Sequence, residues 1–387
     1  MPVETLGIIL NGATGSICNR QHLKRALVPI ISEGGLDVGG RKIMPKLLLV
    51  GRDEERLAAA AAQYGLEDWT TDRDAALADQ AYPIFFDAGP TGQRAGVLRA
   101  AIAAGKHVYS EKPLVTDLEE GRTLIAQAEA AGVRHGVVED KLFLPGLAKL
   151  RRARDTGLFG QIINFRLDFG YWIFAGDEVR GQRPSWNYRK AEGGGLVLDM
   201  HPHWRYIVED ILGPIRQVVS MAWTAIPERT DERCNTYPAD TDDSTATLVE
   251  LESGARGVIT SSWATRVRRD DLMTFQVDGT LGSAVAGLHR CHIQPLAATP
   301  RGHFDPDVDH GRDYDADWAE MPTILPFTNG YRMGWERFIR HVVAGEPAAA
   351  DFRAGLRDVE LADACYRSIE EKGWVKLSPA TEEKVLP

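Results

Sequence analysis

Cysteine is scarce in this chain: Cys18, Cys234, Cys291 and Cys365 are scattered over 387 residues, without the paired spacing of a zinc site. Reduced thiols in a cytoplasmic protein are the expectation. Basic charge is also short. The 45 Lys and Arg against 55 Asp and Glu leave a net charge of −10, which argues against nucleic acid or an anionic membrane as partner, since either needs a basic surface. No apolar run approaches the ~20 residues that span a bilayer. The first strand-like segment begins without the basic and long apolar regions of a signal peptide, and no low-complexity tract is present. The Gly-rich turn that follows is incomplete as well. Asn11-Gly12-Ala13-Thr14-Gly15-Ser16-Ile17-Cys18 keeps G-x-x-G but has Cys18 where a third glycine would fall.

What is present is the composition of a globular protein, 44% hydrophobic and 26% charged, too long for one core, so two domains are expected. Strand-like runs at 6–11, 46–51, 82–87, 108–109 and 133–138 alternate with helical stretches at 16–29, 94–104 and 118–132, the last opened by a Thr116-Asp117-Leu118-Glu119 capping box. The Gly-rich, polar residues 32–45 read as an inserted loop. This alternation predicts a doubly wound parallel sheet, a dinucleotide-binding Rossmann domain over 1–142. Farther on, strand-like runs at 162–170, 217–226, 244–251, 256–263, 274–278 and 283–288 have few helices between them. They predict an α+β domain over 143–387 with a large, mostly antiparallel open sheet, covered by helices at 193–212, 329–345 and 352–371. Such a sheet leaves its other face free.

Two segments carry chemistry. Ala104 to Leu114 reads A-G-K-H-V-Y-S-E-K-P-L and delivers Glu111 and Lys112 to the carboxyl end of a strand, where ligands of open parallel sheets bind. Pro113 biases Lys112 toward an extended backbone. The second segment is Glu192-Gly193-Gly194-Gly195-Leu196-Val197-Leu198-Asp199-Met200-His201-Pro202-His203. The glycines let backbone approach a ligand or cofactor, and Asp199 and His203, four apart, share one helical face with Tyr206, opposite a Met200, Ile207 and Ile211 stripe. Because proline is tolerated only in a first turn, Pro202 places the start of this helix near Asp199. His201 points off that face and is expected to be structural; no metal site is expected.

The G-K-H-V and E-K-P stretch, with the Gly-Gly-Gly…Asp…His segment, resembles the oxidoreductase family named for glucose-fructose oxidoreductase, inositol dehydrogenase and MocA. The likeness runs over nearly the whole chain. It implies an NAD(P)-dependent oxidoreductase acting on a hydroxyl or keto carbon of a sugar, cyclitol or glycoside, and a homodimer or homotetramer built through the open sheet face. An enzyme that cleaves glycosides by transient oxidation and elimination, and a non-enzymatic dinucleotide-sensing regulator, stand as alternatives. Gly12, Ala13, Thr14, Gly15, Ser16 and Ile17 are candidates to cradle the pyrophosphate, joined by Pro90 and Thr91 at a later strand end and by Glu111 and Lys112. The second strand ends Gly51-Arg52-Asp53, not in the lone acidic residue usual for NAD. Arg52 suits a 2′-phosphate and Asp53 either a ribose or a helix cap, so NADP is favoured over NAD. His203 is the expected base, Asp199 its orienting partner or a substrate ligand, and Lys112 the donor to the reacting oxygen. Family precedent also allows Lys112 as base, and the sequence leaves the two open. Lys141, Trp186, Tyr188 and Arg189 are further candidates for a carbohydrate substrate.

Overall fold

The computed structural model describes residues 2–324 and 326–379. By their contacts these form two compact units, the chain up to Phe143 with Thr328–Glu360, and Leu144–Phe327 with the chain from Leu361 on.

The first unit holds a seven-stranded sheet of β1 (Val3–Asn11), β2 (Leu36–Val38), β3 (Arg41–Val50), β4 (Asp68–Thr70), β5 (Ile84–Asp87), β6 (His107–Ser110) and β7 (His135–Val137). Its order is β2-β3-β1-β5-β6-β7, with β4 also paired to β3. All pairs are parallel except β2 with β3. Leu6–Leu10, Leu47–Val50 and Ile84–Phe86 are continuous buried runs, as strands covered on both faces require. The register aligns the carboxyl ends: Asn11 lies opposite Val50 and Asp87, Asp87 opposite Ser110, and Ser110 opposite Val137. The loops leaving β1, β3, β5 and β6 therefore share one edge of the sheet.

Three local expectations are corrected in this unit. Residues 32–45 are not a loop. Gly39 and Gly40, at φ 54° and 78°, make a two-residue turn that pairs Val38 with Arg41 and folds β2 onto the first half of β3. Leu36, Val38 and Ile43 are buried there, an alternation masked by the flanking polar residues. The helix expected over 16–29 is π-wound over Cys18–Leu27 and turns α only over Val28–Ser32. An i→i+5 winding stacks Cys18 with Leu23 and His22 with Leu27, and all four are buried. The helix Leu118–Ala130 is capped by Asp117, which accepts from the Glu120 amide, rather than by Thr116.

The helix Gly330–Ala344, expected on the second sheet, also packs in this unit. Trp335 and Phe338, three apart, face the rings of Phe86 and Tyr109. Trp335 lies 5.1 Å from Phe86 and 5.0 Å from Tyr109, and Phe338 stacks on Tyr109 at 4.6 Å. Periodicity reveals that such a helix has an apolar stripe, not which sheet will receive it.

In the second unit the main sheet runs β17-β16-β15-β14-β8-β13-β12-β9-β18. Its strands are β8 (Ile162–Gly170), β9 (Ile215–Trp223), β12 (Ser244–Leu251), β13 (Arg256–Ser262), β14 (Met273–Gly279), β15 (Gly282–Ala286), β16 (Cys291–Pro295), β17 (Ala319–Glu320) and β18 (Val375–Lys376), with a separate hairpin of β10 (Glu228–Thr230) and β11 (Thr236–Pro238). Only β8 and β13 pair in parallel. Alternation along β12 buries Thr245, Thr247, Val249 and Leu251 toward the helix Leu196–Leu212 and turns Leu248 outward. On that outward face Met221 is 69% exposed and Leu248 52%. Among the described residues no helix is long and apolar enough to cross a membrane.

Candidate active-site residues

In the first unit the turn after β1 is fixed by backbone: the amides of Gly12 and Ala13 both donate to Val50 O, at 3.0 and 3.1 Å. Gly12 has φ 76°, and a Cβ there would lie 2.8 Å from Ala88 O, so only glycine seats this turn against the end of β5. Thr14 and Gly15 are half-buried, Ser16 and Ile17 exposed, and the helix starts immediately beyond. After β3, Arg52 is exposed, while the Asp53 carboxylate caps the helix Glu54–Tyr64 by accepting the Arg56 amide at 3.0 Å. Arg56 ties the two turns together by donating to Thr14 O at 3.1 Å. Pro90 precedes the helix Thr91–Ala103, which starts three residues earlier than its sequence indicated. A glycine-seated turn leading into a helix N-terminus, beside an exposed arginine, fits a dinucleotide.

The Glu111–Lys112 loop is held by residues the sequence did not single out. Asp87, at the end of β5, accepts from Asn11 Nδ2 at 2.7 Å and from the buried Arg94 Nε at 2.9 Å. Arg94 also donates to Gly89 O at 3.0 Å and to Pro113 O. One buried ion pair thus braces the β5 turn and the segment just beyond Lys112. Glu111 is 7% exposed and accepts from His22 Nε2 at 2.8 Å and from the Lys112 amide at 3.1 Å. Burial pushes its carboxyl up, but the His22 hydrogen bond and the nearby Lys112 and Arg94 charges bring it below its ordinary value. The available signals were an acid closing an apolar strand and an arginine on a buried helical position. Neither is specific by itself.

In the second unit the helix Leu196–Leu212 begins three residues before Asp199 and carries Pro202 in its interior. Its start is set by Asp242, whose carbonyl accepts the Leu196 amide at 2.9 Å and whose carboxylate accepts the Val197 amide at 2.7 Å. The glycine run serves this closure. A Cβ on Gly194 would sit 2.5 Å from the carbonyls of Trp186 and Asn187, and one on Gly195, at φ 127°, 2.8 Å from the Tyr366 hydroxyl. The glycines admit protein backbone and side chains, where the sequence suggested a ligand.

Asp199 is half-buried and receives Arg183 Nη1 at 2.6 Å. Arg183 also donates to Asn187 Oδ1 at 3.2 Å and lies 4.2 Å over the Trp263 ring. Burial works against its charge, but Asp199 and Tyr171 outweigh that and hold its pKa above the ordinary value. His203 is 5% exposed, and its Nδ1 lies 2.6 Å from the Tyr206 hydroxyl. The face expected to be open is therefore largely covered, with His203 and Tyr206 both buried. His201 is fully buried against Thr247 Oγ1, at 3.1 Å. Of the remaining candidates, Tyr188 is buried between Arg229 and Trp263, Trp186 is 44% exposed, Arg189 lies 4.3 Å over the Tyr237 ring, and Lys141 sits 3.3 Å from Asp140.

A family model described as an NAD-binding Rossmann fold of an oxidoreductase family matches residues 47–139, and one of the GFO/IDH/MocA C-terminal domain matches 147–285. The chain is 42% identical to the D-xylose dehydrogenase of Paenarthrobacter nicotinovorans over 379 residues, 97% of this chain and 98% of that one. The chain belongs to the GFO/IDH/MocA oxidoreductase family. It is 25% identical to the inositol 2-dehydrogenase of Rhizobium meliloti over 83% of this chain and 88% of that one. A solved structure of levoglucosan dehydrogenase with NADH and levoglucosan superposes with a TM-score of 0.79, covering 97% of this chain and all of that one, and at 21% identity shows the shared fold. As a member of this family the protein is an NAD(P)-dependent oxidoreductase.

Proposed function

We propose that the protein oxidises a carbinol carbon of a small free sugar, with D-xylose the leading substrate, and prefers NADP. The observation that carries the substrate is the 42% identity to a protein named D-xylose dehydrogenase, sustained over both chains almost end to end. The cofactor preference is supported by Gly51 and the exposed Arg52 beside it, and by the engagement of Asp53 as a helix cap, which takes its carboxylate away from a ribose. A bound nicotinamide would supply the hydride acceptor; the chain supplies the proton chemistry and the positioning. Lys112 donates to the reacting oxygen and stabilises developing negative charge. His203 takes the hydroxyl proton, its ring oriented by the Tyr206 hydroxyl 2.6 Å from Nδ1. Asp199, paired with Arg183, binds a neighbouring sugar hydroxyl. We take the outward apolar face around Met221 and Leu248 to be covered by a second copy of the chain, giving a homodimer or homotetramer.

The test is a panel of pentoses, hexoses and inositols assayed for reduction of NADP and NAD. D-xylose with NADP should give the highest kcat/KM, and strong preference for NAD or for a cyclitol would overturn the corresponding part. Lys112→Met and His203→Ala should each lower kcat by roughly 10²–10⁴-fold while leaving cofactor binding intact. Near-normal turnover in both would remove the assigned roles.

A further inference from the structure

Glu111 and Lys112 leave β6 side by side, yet what holds Glu111 comes from distant parts of the first unit. His22, fully buried on the π-wound helix, places Nε2 2.8 Å from Glu111 Oε1. Its Nδ1 receives the indole N–H of Trp335 at 2.9 Å. An indole N–H can only donate, so Nδ1 is the accepting nitrogen and Nε2 carries the proton given to Glu111. The other carboxylate oxygen, Oε2, accepts the Lys112 amide at 3.1 Å. Trp335, His22, Glu111 and Lys112 therefore form an oriented chain of hydrogen bonds that ends on the lysine's own backbone. The rings of Phe86 at 4.3 Å and Tyr331 at 5.1 Å enclose the imidazole. The i→i+5 winding that brings His22 to this place is rare and concentrates at functional positions.

We propose that His22 is a positioning residue for the oxidoreductase reaction. Held by Trp335 in one tautomer, it keeps Glu111 turned toward Lys112, fixing the lysine's backbone and the negative charge beside its ammonium group. The proposal rests on the reading that Lys112 is catalytic. A histidine that only filled space would be replaceable by any side chain of similar volume; one that relays orientation must both accept and donate. Glutamine does both on one amide group, and leucine does neither.

The experiment measures steady-state kinetics against pH for His22→Leu, His22→Gln and Trp335→Phe, with cofactor affinity followed by fluorescence. His22→Leu should lower kcat on the order of 10²-fold, as misplacement of a reacting group does, and displace the pH dependence of kcat, with cofactor affinity little changed. His22→Gln should recover most of the lost rate and the original profile. Trp335→Phe should show a smaller loss and a smaller displacement of the profile, because Nδ1 then lacks the donor that holds the tautomer. Should His22→Leu fail to fold, the other two variants still decide the matter. Unchanged kcat and pH profile in Trp335→Phe would overturn the proposal, and so would a folded glutamine variant that recovers neither the native rate nor the native profile. Lys112→Met is measured in parallel. Its near-normal turnover would overturn the catalytic reading and this proposal together, whereas an inactive Lys112→Met beside unaffected His22 and Trp335 variants would overturn the relay alone.

Discussion

Two histidines two positions apart on one helix end in different chemical situations. His203 faces a tyrosine hydroxyl, while His201 is fully enclosed, with one nitrogen on Thr247 and its pKa brought down by burial to about 3 from 6.5. The folded value lies below the unfolded one, so between these limits the unfolded chain binds the extra proton. The stability His201 contributes is complete above pH 6.5 and is lost as pH falls toward 3, at about 1.4 kcal/mol per pH unit. His201→Gln keeps a donor for Thr247 without a titrating group. In urea unfolding, the advantage of the native protein over this variant should shrink by roughly 2 kcal/mol between pH 6.5 and pH 5. An advantage independent of pH would show that His201 is not held neutral. Helical spacing separated the two side chains in sequence, since His201 falls off the Asp199–His203 face. It could not show that His203 would be nearly as buried as His201, because helical spacing fixes which side chains share a face and not whether that face is covered.

At the scale of elements, the helix Leu196–Leu212 shows how far its start depends on distant chain. Its first two amides go to the Asp242 carbonyl and the Asp242 carboxylate, and the Asp199 amide goes to Gly195 O. Asp242 thus takes up two of the amides that an N-terminus leaves without intrahelical partners. Asp242→Ala removes a cap and the acceptor of the Tyr366 hydroxyl, and should destabilise the protein by about 1–2 kcal/mol, read as a lower denaturation midpoint. Tyr366→Phe should cost less, because it leaves the carboxylate in place. Loss of neither midpoint would mean the helix start is held some other way. The sequence reading began this helix near Asp199 because Pro202 belongs in a first turn when local rules alone apply. By contrast β8 and β12 were legible to the residue, since two-residue alternation is a property of the strand itself.

For the whole molecule, the nine-stranded sheet presents Met221, Trp223 and Leu248 outward while its opposite face is packed. Apolar side chains gathered on one face of a sheet favour association. Sedimentation velocity should find an oligomer, and Met221→Glu with Leu248→Glu should shift it to lower mass with secondary structure unchanged. A native protein that sediments as a monomer would rule out the second copy as the cover of this face.

Strand and helix alternation, glycine and proline punctuation, and short motifs at strand ends are written in neighbouring residues. From those alone the parallel sheet, the antiparallel sheet and the Glu111–Lys112 loop could be located. The tertiary structure decided which sheet receives the helix Gly330–Ala344, what the glycine run admits, and which groups grip Glu111. Those choices depend on contacts such as His22 with Glu111, 89 positions apart, and Trp335 with His22, 313 apart. A hydrogen bond that joins such distant residues leaves no periodicity in the chain, because neither partner's neighbours need to change for it to form.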